Sequence, residues 1–433
     1  MRNNFTAEQW ADPELKPAAT QIRKCVHCGF CTATCPTYVV LGDERDSPRG
    51  RIQFMQKMLE QGGTPSDEAV HHIDRCLSCL NCRTTCPSSV DYARLIDKSR
   101  AYIQENYKRK LGDRFIRWLI ANVFPYPALT KVMLGLVPFG KIAAKVIPMG
   151  RLEVMMKKAS APRGPELLTR PEKAVKRIAM LPGCVQKAVM PQIDAAASRV
   201  LSRRGIELVP LEGAGCCGAL SHHLGREHES QEFAKKIIIA YEAGRYDGVF
   251  ISATGCGGYL KELQHVFPRD AEWQPRAAKF AAAFIDFVEL VPPTKDFIDS
   301  TGAQAPRRPP HRLKVAYHPP CSLQNGLKLN GKSEELLAAA GFTLTPFLES
   351  HICCGSAGSY SILQPELSNT LRDRKLGNIM AGNPDVIVSG NIGCIQQLTD
   401  GVPVLHIAEL LDWAEGGPLP EVMQPTVLVL PHS

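Results

Sequence analysis

Two short runs of the chain concentrate its thiols. CVHCGFCTATCP, residues 25–36, sets Cys25, Cys28, Cys31 and Cys35 ahead of Pro36, and CLSCLNCRTTCP, residues 76–87, sets Cys76, Cys79, Cys82 and Cys86 ahead of Pro87. Both obey one rule, C-x2-C-x2-C-x3-C-P. Thiolates at two-residue gaps on a curled loop grip one metal centre from one side, and soft sulfur donors select zinc or iron–sulfur clusters. A tetrahedral zinc site draws its four ligands from two separated pairs, so a third cysteine at the same short gap is superfluous to it. The triplet therefore favours a four-iron cube. His27 lies inside the first loop, but four thiolates already suffice, and it is expected beside the site rather than on the metal.

The spacing resembles that of bacterial two-cluster ferredoxins, a known pattern in which the fourth cysteine of each run ligates the other cluster. The resemblance implies two [4Fe-4S] clusters, one held by Cys25, Cys28, Cys31 and Cys86, the other by Cys76, Cys79, Cys82 and Cys35. Between the runs, SPRGRIQFMQKMLEQGG places Ile52, Met55, Met58 and Leu59 on one helical face, with no strand pattern nearby. Residues 1–110 are accordingly expected to form an α-helical ferredoxin domain. Arg49 and Arg51 open that helix and face either a cluster sulfur, a partner or plain solvent.

The other eight cysteines fall in a repeat. Cys184, the pair Cys216–Cys217 and Cys256 recur as Cys321, Cys353–Cys354 and Cys394, at offsets of 137, 137 and 138 residues. Equal offsets at separate landmarks mark a duplicated unit. In each copy an apolar strand-like run ends at the first cysteine (KRIAMLPGC; LKVAYHPPC), and a helix and a short strand lead into CCG. A further helix precedes the strand (DGVFIS; DVIVSG) that delivers the last cysteine. Alternating strands and helices predict mostly parallel sheets with the thiols at the C-terminal ends of strands, where open α/β sheets build their sites. The expected fold class is α + α/β: the helical ferredoxin domain, then two α/β domains at 174–295 and 311–420.

Adjacent cysteines seldom bond to each other, and such matched placement points to a metal or a reactive dithiol. The eight are candidates for an additional cofactor or redox site, either a further cluster or a metal. His222, His223, His318 and His351 stand nearby, and none is singled out. GAGCCG, residues 213–218, matches G-x-G-x-x-G, but the second copy (SHICCG) lacks the first two glycines, so a dinucleotide site is not expected. The glycine after each cysteine pair is expected to turn the backbone tightly beside a cofactor.

The whole chain, 433 residues with 44% hydrophobic content, is long enough for several buried cores. MRNNFTAEQWADPELKP has no basic start followed by an apolar run, so no secretory signal is read, and sixteen cysteines in a reducing compartment argue for ligands over disulfides. Lys and Arg exceed Asp and Glu by 8. Two clusters at about −2 each would lower that balance to about +4, and no basic run with interleaved aromatics suggests nucleic acid. Residues 111–173 read as an apolar connector and linker. Within 115–148, Pro125, Pro127 and Pro138 interrupt the apolar run, which argues against a spanning helix and leaves a docking surface or a buried helix pair. KKASAPRGPELLTRPEK, 157–173, reads as the linker itself.

The double cysteine module followed by two CCG repeats resembles the iron–sulfur subunit of bacterial glycolate oxidase. CVHCGFCTATCPTY, GDERDSPRGRIQ and DRCLSCLNCRTTCPS carry the likeness, which covers nearly the whole chain. The same two-module architecture occurs in anaerobic glycerol-3-phosphate dehydrogenase and in D-lactate-oxidising systems. The resemblance implies a membrane-associated complex in which flavin-bearing partner subunits oxidise glycolate to glyoxylate and this chain, with no catalytic residue for the substrate, passes electrons toward quinone. It implies a cytoplasmic protein, peripheral on the inner face of the membrane. The CCG domains are also similar to those of heterodisulfide reductase, whose fuller motif ends in C-x-x-C. Here Tyr259 and Gln397 stand at the last position, so each copy has four thiols and an enzyme acting at the CCG cysteines is the alternative reading.

Overall fold

The computed structural model describes residues 3–143, 151, 153, 167–293 and 313–424. Its N-terminal part is helical, with no strand among the described residues up to 143. Helices Leu15–Lys24, Pro48–Gln61, Asp67–Asp74 and Tyr92–Asn106 close around Ile22, Met55, Ile73, Leu95 and Ile96, all fully buried. The helix read from SPRGRIQ starts where its cap chemistry puts it: the Ser47 hydroxyl accepts from the Gly50 N–H and Pro48 fills the first turn. Its buried face carries Ile52, Met55, Met58 and Leu59, as the periodicity predicts.

The later part holds two all-parallel sheets. Strands β1 (Lys176–Met180), β2 (Ile206–Pro210) and β3 (Gly248–Phe250) lie in the order β2-β1-β3, and β4 (Lys314–Tyr317), β5 (Thr343–Leu344), β6 (Val386–Ser389) and β7 (Val404–His406) in the order β5-β4-β6-β7. Ile178 pairs with Leu208 and Gly248, and Val315 pairs with Leu344 and Val386. The strands are apolar at successive positions because both sheet faces are covered. Ala179, Val249, Ala316 and Ile387 enter one core layer, while Ile178, Phe250, Val315 and Val388 enter another. Each layer thus mixes side chains from both repeats, and the two copies share their cores.

The duplication is imperfect. After β3 the first copy adds the helix Trp273–Ala283 before Phe284 makes a single parallel bridge to Val249, the counterpart of β7. The second runs from helix Ile392–Leu398 straight into β7. Both then reconverge on a capping box, Asp286 with Glu289 and His406 with Glu409. The copies are also clamped by charge. Helix Gln192–Ser202 packs on helix Ile407–Ala414, and Arg199 and Arg203 reach the buried Asp412 at 2.7 and 2.8 Å.

The connector resolves two readings into two faces. Helix Leu111–Val123 stops at Pro125, and Pro127 opens the helix Pro127–Ala143, which contains Pro138. Ile116, Ile120 and Ala121 pack on Leu224 of the first repeat and on Ile362 and Leu363 of the second. Arg109 and Arg117 tie the hairpin to Asp74 at 2.5 and 3.0 Å. Leu111, Phe115, Trp118, Val132 and Leu136 face outward, exposed. No helix among the described residues is long and apolar enough to cross a membrane. Residues 144–148 of the apolar run and 157–166 of the linker lie outside the described residues, and 167–170 form no regular element.

The CCG glycines carry a positive φ, +93° at Gly218 and +86° at Gly355. The tight turn is as expected, and the close approach that enforces it is to the following helix. A Cβ on Gly355 would lie 2.5 Å from the Ser368 carbonyl oxygen, and one on Gly218 would lie 2.9 Å from that of Ser230. Forcing a methyl into such a contact costs about 1–3 kcal/mol. Gly355→Ala is therefore expected to lower the unfolding midpoint of the cysteine-rich half, followed by anaerobic thermal denaturation. A midpoint equal to wild type would show that the helix yields instead.

Candidate metal centres

Both ferredoxin-like loops reach the same conformation by different residues. The residue before the second cysteine is left-handed in each, His27 at φ 55° and Ser78 at 52°, as is the residue after it, Gly29 at 89° and Leu80 at 59°. Alternating left-handed residues curl the loop so that its side chains converge. Cys25, Cys28, Cys31 and Cys86 line one cavity, which Cys82 also borders. His27 turns its backbone to use: its carbonyl accepts from the Arg49 guanidinium at 3.1 Å. At Gly29 the positive φ disfavours any side chain, and a Cβ there would have to displace the Arg49 guanidinium, 2.8 Å away at Nη1.

Cys35, Cys76, Cys79 and Cys82 lie deeper. Arg51 is 1% exposed, so of the readings open to it the sulfur-facing one is found. Its Nη1 is 3.9 Å from Cys35 Sγ, its Nε donates to the His72 carbonyl at 2.7 Å, and its Nη2 donates to Thr37 Oγ1 at 3.0 Å. The fully buried Asp46 gathers Arg51 at 3.1 Å, Arg75 at 2.9 Å and His72 Nδ1 at 3.1 Å. No periodicity marks Asp46 or Thr37 in the sequence. Only the folded loop brings them to the thiols.

Burial pushes the Cys31 thiol up to about 11 and holds Cys79 and Cys82 well above the ordinary thiol range. A metal cation that binds thiols so buried displaces their protons to solvent, which is how a metal couples to such a site. Four donors around one cavity and four more behind it fit a pair of thiolate-bound clusters.

The ferredoxin-like part docks on the second repeat through its own second loop. Asn81 Nδ2 donates to the Thr34 carbonyl at 3.2 Å and to the His351 carbonyl at 2.8 Å. Asn325 Nδ2 returns a bond to the Cys79 carbonyl at 3.0 Å. Cys79 shares an apolar cluster with Cys353, against which Cys321 packs. Neither asparagine stands out in the sequence, since a lone Asn in a loop carries no pattern.

All six strands that precede a cysteine deliver it beyond their C-terminal ends, around the point where strand order reverses at β1 and β4. Cys184 and Cys216 sulfurs are 3.6 Å apart, and Cys321 and Cys353 sulfurs 3.9 Å. Both quartets, with Cys76 and Cys79, line one chamber of about 680 Å³. Of the four histidines near the repeats, His222 pairs with Asp97 at 3.2 Å with its ring tilted against His223, and the His351 carbonyl accepts from Asn81. His318 alone reaches thiols, Cys354 and Cys394.

Comparison with known proteins follows this division. A family model described as a 4Fe-4S dicluster domain matches residues 21–90, and one described as a cysteine-rich domain matches twice, at 178–261 and 315–399. The glycolate oxidase iron-sulfur subunit of Escherichia coli (strain K12) is 38% identical over 426 residues, covering 96% of this chain and 99% of that protein. The probable glycolate oxidase iron-sulfur subunit of Bacillus subtilis (strain 168) is 29% identical over 92% of this chain and 94% of its own. Lactate utilization protein A of Exiguobacterium sp. is 26% identical over 54% of this chain and 96% of its own. A hypothetical protein from Helicobacter pylori of known crystal structure has a similar fold, with a TM-score of 0.51 at 9% identity, covering 90% of this chain and 76% of that one.

Removing one partner of a buried ion pair costs up to about 3–5 kcal/mol, and less where the charge left behind keeps a second partner, as Asp46 keeps Arg75 at 2.9 Å. Arg51→Leu is therefore expected to lower anaerobic thermal stability markedly, and adding Asp46→Leu is expected to recover part of the loss. A double variant no better than the single one would mean that Arg51 acts through the thiols rather than through Asp46.

Proposed function

The chain belongs to the family of glycolate oxidase iron–sulfur subunits, and we propose that it carries electrons between a flavin-bearing partner, which oxidises glycolate to glyoxylate, and quinone. As an oxidoreductase subunit it brings the iron–sulfur part of the chemistry, and the substrate is bound and oxidised on the partners. Two [4Fe-4S] clusters, when bound, supply one-electron steps of the kind a reduced flavin needs. Cys25, Cys28, Cys31 and Cys86 would hold the first, and Cys76, Cys79, Cys82 and Cys35 the second. The eight later cysteines would hold a further cluster or metal. In this reading the chain divides into 1–110, the connector 111–173, and repeats at 174–295 and 311–420.

One observation carries the reading: the thiols form an unbroken succession. The cavity of Cys25, Cys28, Cys31 and Cys86 is bordered by Cys82, and Cys79 is packed against Cys353 and Cys321 at the chamber of the repeats. Such continuity suits a relay and serves no purpose in a set of independent structural sites. The exposed Phe115, Trp118, Val132 and Leu136, flanked by exposed Lys108, Lys110 and Arg114, support a peripheral position on an anionic inner membrane surface. The likeness to lactate utilization protein A favours one second reading, a lactate-oxidising complex.

Anaerobic capture of the chain from its own cell, with the complex assayed for glycolate, D-lactate and glycerol 3-phosphate against a quinone analogue, tests both. A flavoprotein partner and glycolate turnover are expected; turnover of D-lactate alone would move the substrate to the second reading. In the captured complex, Cys28→Ser is expected to abolish quinone reduction while substrate still bleaches the flavin. Quinone reduction at the wild-type rate would sink the relay.

A further inference from the structure

The two repeats differ at a position that matters to a metal. His318 stands three residues before Cys321, just beyond β4, and the residue three before Cys184 is Leu181. Both are 1% exposed. His318's backbone is satisfied, its N–H donating to the Val388 carbonyl at 2.8 Å and its carbonyl accepting from Ser389 Oγ at 2.9 Å. Its ring is not: neither nitrogen meets a nitrogen or oxygen partner. A buried imidazole left so is costly unless something else in the site engages it. What the ring does meet is sulfur. A ring nitrogen, Cys354 Sγ and Cys394 Sγ all lie within 4.8 Å of one another, and all three residues are buried.

Building on the reading that the later cysteines hold a metal cofactor, we propose that His318 is an imidazole ligand to an iron at the second repeat. That site then offers five donors, the soft Cys321, Cys353, Cys354 and Cys394 with the imidazole of His318, while the first offers four thiols and the inert Leu181. The positions three residues after Cys256 and Cys394 cannot make up the difference. Tyr259 is bonded to Ser230 Oγ at 2.6 Å and Gln397 to Ser368 Oγ at 3.0 Å, each on the helix that follows its own CCG. Imidazole joins thiolate readily on iron, and the mixed set distinguishes one repeat from the other. The duplicated chamber therefore has two unlike ends.

The test uses the full chain, purified anaerobically and reconstituted with ferrous iron and sulfide, with its histidines labelled with nitrogen-15. Iron and sulfide are counted, and pulsed electron paramagnetic resonance is recorded on oxidised and reduced samples. The expected result is iron beyond that held by the ferredoxin cysteines, carrying the strong coupling of a directly bonded histidine nitrogen. His318→Ala should lose that coupling and part of the excess iron, and His318→Cys should restore the iron without the coupling. Excess iron with only the weak coupling of a hydrogen-bonded nitrogen, or an unchanged spectrum in His318→Ala, overturns the proposal and leaves the cofactor reading intact. No iron beyond the ferredoxin cysteines in wild type overturns both. The labelled wild-type spectrum decides by itself should a variant fail to fold.

Discussion

Crowded, buried sulfur is the constraint around which this molecule is arranged. Cys35, Cys76, Cys79 and Cys82 are all under a tenth exposed, as are Cys353, Cys354 and Cys394. Neighbouring thiolates repel one another and are poorly solvated there, so ionising them together demands compensating positive charge. Arg51 supplies a permanent cation within 3.9 Å of Cys35, and the Asp46 that holds it is shared with Arg75 at 2.9 Å, so the two guanidiniums outweigh the one carboxylate. At the ferredoxin-like loops the remaining compensation is left to iron–sulfur clusters. Without compensation, ionising the ten buried thiols would be costly.

The interface between the halves follows from the same need. Had the ferredoxin-like part been joined by a loose tether, its second loop would meet water. Instead Asn81 and Asn325 exchange hydrogen bonds with backbone on the opposite side, to His351 and Cys79, and so fix one loop against the other. Backbone carbonyls beside buried cysteines have few other partners, and leaving them unmet would carry a desolvation cost. The connector adds a second fastening by inserting Ile116 and Ile120 between residues of both repeats.

Much of this was legible from residue types and spacing. The two cysteine runs, the helical face of Ile52, Met55, Met58 and Leu59, the duplication, and the delivery of thiols beyond parallel strands all rest on periodicity or on short motifs, which a single chain displays openly. What stayed hidden depends on residues far apart in the chain. Asp46 with Arg75, or Asn81 with Asn325, meet only after folding, and neither member carries a local signal. His318 is one histidine among four in the sequence, and its burial beside Cys354 and Cys394 with neither ring nitrogen matched separates it from the rest. The extra helix Trp273–Ala283 lies beyond Cys256, the last landmark of the first copy, so the offsets between cysteines say nothing of it.

The clamp of Arg199 and Arg203 on Asp412 bears on the order in which the molecule can be made. The partner helix Ile407–Ala414 is among the last described elements, and it covers helix Gln192–Ser202 of the first repeat. A ribosome releases that helix roughly two hundred residues before its cover, at about 5–20 residues per second. For that interval one core layer of the nascent chain lacks a side, and the thiols of its chamber are open to whatever surrounds them. Closing that core layer thus waits for helix Ile407–Ala414, and thiols that are buried in the folded molecule are more open to oxidation during synthesis than afterwards.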